Sequence, residues 1–425
     1  MLVSFSVTNY KTFRDRAEWS MIASADTTRE ADNVIPGPFG LRLLKSAVVY
    51  GANASGKSKL VAALAFFRQF VRTSNNTQIG TPISVDPFRL NPRTATEPSE
   101  FEIRLVDGNT LYRYGFAATR ERVTEEWLFI RRTKKETEVF SRVGQVIDYN
   151  AKYLKGTTAQ LIRNDEVRPN ALLISLAAQF NNPLATAILG HLFFISIGLN
   201  ATNGRRITAN RLRNDMARPA LLGLFRSLDL PFKDVLAGLP VASDSPAGGT
   251  IPEEDMRVVY QMFTDAGELA GDHIFSLRRD ESTGTRKLFD LAGVLQLVLG
   301  EGLMWVIDEL DTYLHPSLVT ALIGLFNSKE HNPLGAQLLF NTHDTNLLSC
   351  GHFRRDQIWF TERDRHGAAT LYSLSDIKTP AGRQERGTAD FERNYLQGRY
   401  GAIPFLGDLA GLPTVQPSET DGPQD

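Results

Sequence analysis

The sequence predicts an α/β fold with an antiparallel β subdomain and an inserted α-helical domain, on three observations. A glycine-rich pattern at 51–58 has a strand signature before it and a helix signature after it. Alternating β segments follow from about 100 to 141, and helical periodicity takes over from about Asp148 to Asp272. The expected organisation is 1–147, a first α/β lobe with the β subdomain; 148–272, a helical insertion; 273–412, a second α/β lobe; and 413–425, a polar tail expected to be disordered.

The glycine-rich stretch reads Gly51-Ala52-Asn53-Ala54-Ser55-Gly56-Lys57-Ser58, the phosphate-loop spacing of two glycines four residues apart followed by Lys and a hydroxyl. Before it, Ala47-Val48-Val49-Tyr50 is a short β-branched run suited to a buried parallel strand; after it, Leu60, Leu64, Phe67 and Phe70 recur at helical spacing. Glycines let successive N–H groups turn inward, and the helix start adds its positive dipole end, so the guest is a polyphosphate. Asn53, Ala54, Ser55, Gly56, Lys57 and Ser58 line this cradle, with Lys57 reaching the β- and γ-phosphates and Ser58 holding Mg²⁺.

Composition narrows the class. The 425 residues are 42% hydrophobic, enough for a large core and two or three domains. With 47 basic against 48 acidic residues there is no global basic field, so any nucleic-acid surface must be local. A single cysteine, Cys350, excludes a disulfide framework and fits a reducing compartment. No secretory leader pattern opens the chain, and apolar runs such as 171–178 and 192–195 are far shorter than a membrane span, so a cytoplasmic protein without a membrane partner is expected.

In chain order, Leu2 to Val7 alternates as a half-buried strand with Ser4 and Ser6 on the second face, and Trp19 to Ile22 suggests another strand. Prolines 82, 87, 92 and 98 keep the next stretch out of helix. Strands are expected at 100–106 and 111–116 around a turn at Asp107-Gly108-Asn109, and again at 124–131 and 138–141. Helices are expected at 171–180, 183–194, 208–229 with an interruption at Pro219, and 256–269, and an exposed loop at 239–249. No heptad run supports a long coiled coil.

The second lobe completes the site. Gly302 to Leu310 is an apolar run ending in Asp308 and Glu309, and a buried strand that delivers carboxylates at its C-terminal end is where an α/β sheet presents ligands. An acidic strand end alone is common. Beside a phosphate loop, Asp308 is expected to hold Mg²⁺ and Glu309 to act as general base on the attacking water. Upstream, Ser282-Thr283-Gly284 opens a helix carrying Leu288, Leu291, Leu295 and Val298; its capped N-terminus is either a second anion site or a capped helix and no more. Two phosphate devices in one chain are redundant within a monomer, and a two-fold dimer removes the redundancy by placing one copy's helix tip over the other's nucleotide. Gln337 to Asn341 is a further strand, beyond which His343 can hydrogen-bond the γ-phosphate.

The phosphate loop, inserted domain, Ser-x-Gly helix start, Val-Ile-Asp-Glu, Asp311 loop and His343 come in the order used by ABC-type ATPases of the RecF, SMC and overcoming-lysogenisation-defect class. The opening at 5–13 and the end at 395–404 resemble stand-alone prokaryotic ATPases of the AAA family found in abortive-infection and anti-phage operons. The resemblance implies an ABC-type P-loop ATPase head that binds ATP and Mg²⁺ and closes as a homodimer or higher even oligomer. It implies that Ser282 and Gly284 act in trans and that Asp311 lines the dimer interface. The family signature usually continues with a second glycine and a glutamine, where Thr285 and Arg286 stand here. No fused nuclease is recognisable, so the expected role is a sensor or regulator of a toxic effector nuclease supplied as a separate protein. The alternative is a RecF-like repair ATPase gripping DNA through Arg131-Arg132-Thr133-Lys134-Lys135 or Arg205, Arg206, Arg211 and Arg213. A transporter engine is a weak third, since the stretch between phosphate loop and signature is too long for it.

Overall fold

A computed structural model of the chain describes residues 1–193, 195–197, 201–236, 256–377 and 390–404; the expected loop at 239–249 and tail at 413–425 lie outside the described residues. A six-stranded sheet is ordered Ile195–Ile197, Met304–Ile307, Gln337–Asn341, Ser46–Tyr50, Ile358–Arg363, Ala369–Ser373. Every neighbouring pair runs parallel except the last. The centres of its inner strands are apolar runs, such as 47–50, 304–307, 338–340 and 358–360, because both faces are covered. Ala47 and Val49 face a core shared with Leu339, whereas Val48 and Tyr50 face a second core with Phe340 and Trp305.

The other large sheet is antiparallel and seven-stranded: Val146–Tyr149, Glu136–Val143, Val123–Arg131, Thr110–Ala118, Ser99–Asp107, Leu2–Thr8, Ala17–Ser20. The expected strands from 100 to 141 form its meander, and the N-terminal strand joins them by pairing with Ser99–Asp107. That interior position buries Ser4 and Ser6 as well as Phe5 and Val7, so Leu2–Thr8 is covered on both faces rather than half-buried.

The helix Lys57–Thr73 joins the two sheets. Its Phe67 stacks on Phe116 with centroids 5.4 Å apart and meets Phe5 edge-on at 5.8 Å, while Leu60 and Leu64 share the core containing Ala47 and Val49. Gln337 adds a polar tie: its Oε1 accepts from Leu2 N–H at 2.6 Å, and its Nε2 donates to the carbonyls of Leu2 and Leu44 at 3.0 Å. The phosphate-loop strand and its helix are thus clamped between sheets.

The middle of the chain is helical with β additions. Gly156–Arg163, Leu173–Gln179, Pro183–Phe193, Ala201–Leu212 and Arg218–Ser227 are helices. Pro219 opens the last of these at its first turn instead of interrupting a longer one, as its missing N–H and fixed φ favour. The helix expected at 256–269 is a hairpin, Arg257–Phe263 with Leu269–Ser276. The adjacent β-branched Val258 and Val259 and the turn closed by Thr264 and Gly267 outweigh the helical spacing there. After Phe193 the chain forms an edge strand, Ile195–Ile197, beside Met304–Ile307.

The helix Thr283–Glu301 carries a stripe of Leu288, Leu291, Leu295 and Val298 into the second core. Ala201–Leu212 lies so close to it that a Cβ on Gly293 would stand 2.4 Å from the Thr208 Cα, whereas one on Gly300 of the same helix would meet nothing within 4 Å. Gly293→Ala should therefore destabilise the protein by about 1–3 kcal/mol, and Gly300→Ala should be neutral or stabilise slightly through helix propensity. Urea denaturation followed by circular dichroism checks both; equal midpoints would mean the helices are not in close contact.

Candidate active site

The phosphate loop leaves the sheet at Tyr50. Gly51 (φ +153°) and Gly56 (φ +125°) adopt backbone conformations that side chains oppose, and a Cβ on Gly51 would lie 2.4 Å from the Thr361 carbonyl. Ser55 Oγ shares a 2.7 Å hydrogen bond with Thr361 Oγ1, fastening the loop to the neighbouring strand. Asn53 and Ala54 are exposed on the outer turn, and Ser58 is half-buried in the first helical turn. Lys57 is buried, and its ammonium donates to the carbonyls of Gly51 at 2.6 Å and Ala52 at 3.0 Å. Burial lowers its pKa, and the charges of Glu309, Asp308 and Asp311 oppose that shift. The fold has brought the lysine of one lobe within electrostatic reach of the acids of the other.

Asp308 and Glu309 follow the strand Met304–Ile307 directly, both exposed, with Glu309 in the left-handed region at φ +52°. Asn341, at the end of the strand between the acidic strand and the phosphate-loop strand, holds both acids. Its Nδ2 donates to Asp308 Oδ1, and its Oδ1 accepts from the Glu309 N–H at 2.6 Å. Thr312 Oγ1 donates to Glu309 Oε2 at 3.3 Å. The exposed His343 comes two residues after Asn341, and its backbone N–H donates to Asp311 Oδ2 at 3.4 Å. The other Asp311 oxygen is buried with no hydrogen-bond partner.

The helix tip is capped as expected, Ser282 Oγ accepting from Thr285 N–H at 3.1 Å, and Ser282 and Thr283 are exposed. A Cβ on Gly284 would lie 3.2 Å from the Tyr313 carbonyl, so the tip rests against the loop that follows the acidic pair. Lys287, one turn on, donates to the carbonyls of Glu309 at 3.4 Å, Leu310 at 3.3 Å and Thr312. The structure therefore brings Ser282 and Gly284 to the Asp311–Tyr313 segment of their own chain. Among the described hydrogen bonds, none joins them to the phosphate loop. Tyr313, beside the tip, is 69% exposed.

These residues fit a polyphosphate. The buried ammonium has only loop carbonyls as acceptors, a poor substitute for anionic oxygen, and the strained glycines keep the loop open to a close backbone approach. Among the described residues no group of three His, Cys, Asp or Glu could hold a metal unaided. Mg²⁺ would rest on Ser58 and Asp308, with nucleotide oxygens and water completing its shell, the sparse protein contribution usual for that ion.

The family model described as "AAA domain, putative AbiEii toxin, Type IV TA system" matches residues 46–349, from the phosphate-loop strand past His343. The chain belongs to this family. Two solved structures are similar in fold: the SMC head domain from Thermotoga maritima (12% identity, TM-score 0.39, covering 89% of this chain and 99% of that one), and an SMC head bound to the C-terminal winged-helix domain of ScpA (12% identity, TM-score 0.40, covering 88% and 97%). No curated protein matches in sequence.

Three site residues of this AAA-family chain carry no signal of their own in the sequence. Asn341 is one amide ending an apolar strand, Lys287 one cation on a helix, and Thr361 one hydroxyl in a strand. Their significance comes from the sheet order and the loop crossing, which no local motif states. Replacing Asn341 by Leu removes the partner of the Glu309 N–H and the Asp308 carboxylate, a loss of about 0.5–1.5 kcal/mol because water reaches both exposed residues. ATP turnover should fall about tenfold or more with a smaller change in ATP affinity, measured by phosphate release and by equilibrium binding. Unchanged turnover would remove Asn341 from the positioning role.

Proposed function

We propose that this AAA-family protein is an ATP-dependent dimerising switch and the sensor or regulator of an anti-phage, abortive-infection system that controls a toxic nuclease supplied in trans. The observation that carries the switch is the placement of the Ser282–Gly284 tip. It is capped, exposed and moored to the loop of Glu309, with no hydrogen bond to its own phosphate loop among the described residues, so the Thr283 and Gly284 amides are left for a second copy. In this reading Lys57 balances charge on the β- and γ-phosphates, Asp308 and Ser58 hold Mg²⁺, Glu309 takes the proton of the attacking water, and His343 hydrogen-bonds the γ-phosphate. ATP supplies the cleavable phosphoanhydride. Asp311 lies on the loop where two copies would meet. The toxin–antitoxin context draws on the family's description as a putative toxin of a type IV system, and the regulatory assignment on the resemblance to abortive-infection ATPases.

A DNA-gripping role is the second reading, supported by the exposed Arg132, Lys134 and Lys135 of one hairpin tip. The other basic cluster supports it less: Arg205 pairs with Asp290 at 3.2 Å, and Arg211 donates to Gln296. Among the described residues no helix is long and apolar enough to cross a membrane.

Glu309→Gln should bind ATP, slow turnover about 100-fold or more and accumulate dimer in analytical ultracentrifugation; rapid turnover by that variant would exclude Glu309 as the base. In mixed dimers, Ser282→Arg on one copy should silence the site of the other while sparing its own. Loss confined to the copy that carries the substitution would refute closure in trans. Copurification of a nuclease in fixed stoichiometry with the native protein tests the regulatory assignment.

A further inference from the structure

We propose a second ligand site, for a nucleotide, in a cavity of about 700 Å³ on the antiparallel lobe. The strand Thr110–Ala118, the hairpin tip beyond Arg131 and the starts of the helices Gly156–Arg163 and Pro183–Phe193 form it. Three cations line it, Arg132, Lys152 and Lys155, and no carboxylate does, although acids and bases are almost equal in number over the whole chain. Among the described residues none of the three is in an ion pair. Arg132 lies close enough to Tyr112 for its charge to oppose the rise that burial gives the phenol's pKa.

Two further features specify the guest. The helix Gly156–Arg163 begins at Lys155 with no side-chain cap, so its first amides are unclaimed, whereas Asn182 Oδ1 already accepts from Leu184 and Ala185 N–H, each at 3.1 Å. Cations together with open amides select phosphate. The half-buried Tyr153 and the 43%-exposed Phe180 add aromatic surface beside them, on which a base can stack. A phosphate joined to a flat aromatic group satisfies both halves of the lining, and the volume lies within the range of small-molecule pockets. The shared chemistry is that of a nucleotide, either free or at the end of a single strand.

The cavity also has a mechanical path to the switch, and this part rests on the proposed function. The helix Pro183–Phe193 starts at the cavity and ends where the Leu192 carbonyl accepts from Arg68 Nε of the phosphate-loop helix at 3.0 Å. The chain then continues into Ile195–Ile197, paired with the strand that bears Asp308 and Glu309. Ligand at the first end biases a helix that touches the phosphate-loop helix and leads, through Ile195–Ile197, to the strand before Asp308 and Glu309.

The test uses the full-length protein carrying Lys57→Ala, so that the phosphate loop does not compete, with mant-AMP and a 5′-phosphorylated, 3′-fluorescein-labelled dT6 oligonucleotide as probes. At least one probe should bind, and Lys152→Glu with Lys155→Glu, both exposed positions, should weaken that binding about tenfold or more. Preference for mant-AMP assigns a free nucleotide; preference for dT6 assigns a strand end. If neither probe binds, or if the double charge reversal leaves binding unchanged, the proposal is overturned. The switch is judged separately by ATP turnover of the otherwise wild-type protein, which can succeed when the cavity assignment fails.

Discussion

The parallel register of three strands is the constraint on which the site depends. Ser46–Tyr50, Gln337–Asn341 and Met304–Ile307 pair side by side, Val48 opposite Phe340 and Phe340 opposite Ile307, so their C-terminal ends come out at one edge. At that edge the first strand delivers the phosphate loop, the second Asn341 and His343, the third Asp308 and Glu309. A one-residue slip would turn Val48, Phe340 and Ile307 out of one core and their neighbours out of the other, because each strand feeds two cores in alternation. Hydrophobic packing on both faces therefore fixes where charged groups separated by some 250–290 positions in sequence meet.

Asn341 turns that placement into a specified geometry. An amide can donate and accept at once, and here it donates to the Asp308 carboxylate and accepts from the Glu309 backbone. Neither Asp nor Leu at this position could do both. Lys287 performs the corresponding task from the helix side, gathering carbonyls of Glu309, Leu310 and Thr312 around one partly buried ammonium. Burial lowers the pKa of that ammonium, and Asp311 and Glu309 counter the shift. The Ser282–Gly284 tip and Glu309 are consequently tied to one short loop.

Much of this was legible in the sequence because motif and periodicity coincide there. The run Ala47–Tyr50, the loop glycines and the stripe Leu60, Leu64, Phe67, Phe70 each demand the same strand–loop–helix, and the acidic pair sits at the end of an unmistakable apolar run. The region after 148 was less legible. Val258 and Val259 have apolar spacing that a helix or a strand can use, and only pairing with Ile274 and Phe275 decides it. The burial of Ser4 and Ser6 follows from neighbours on either side of the strand, which a single segment does not reveal. Asn341, Lys287 and Thr361 were invisible for the same reason: each acts on a residue remote in sequence, through contacts that exist only once the sheet order is known.

The hydrogen bonds of Lys57 set what a polyphosphate guest has to displace. With its ammonium resting on the Gly51 and Ala52 carbonyls, the lysine closes the loop on itself. A bound polyphosphate must replace two neutral acceptors with charged ones, an exchange that favours the guest because charge-assisted hydrogen bonds are roughly twice as strong as neutral ones. The same exchange brings negative charge toward Asp308, Glu309 and Asp311, which already act on that lysine. In the proposed switch a divalent cation would relieve part of the repulsion and donors from a second copy the rest. Nucleotide, metal and partner would be linked in that proposed switch by one charge balance, centred on a lysine whose hydrogen bonds lie within its own loop.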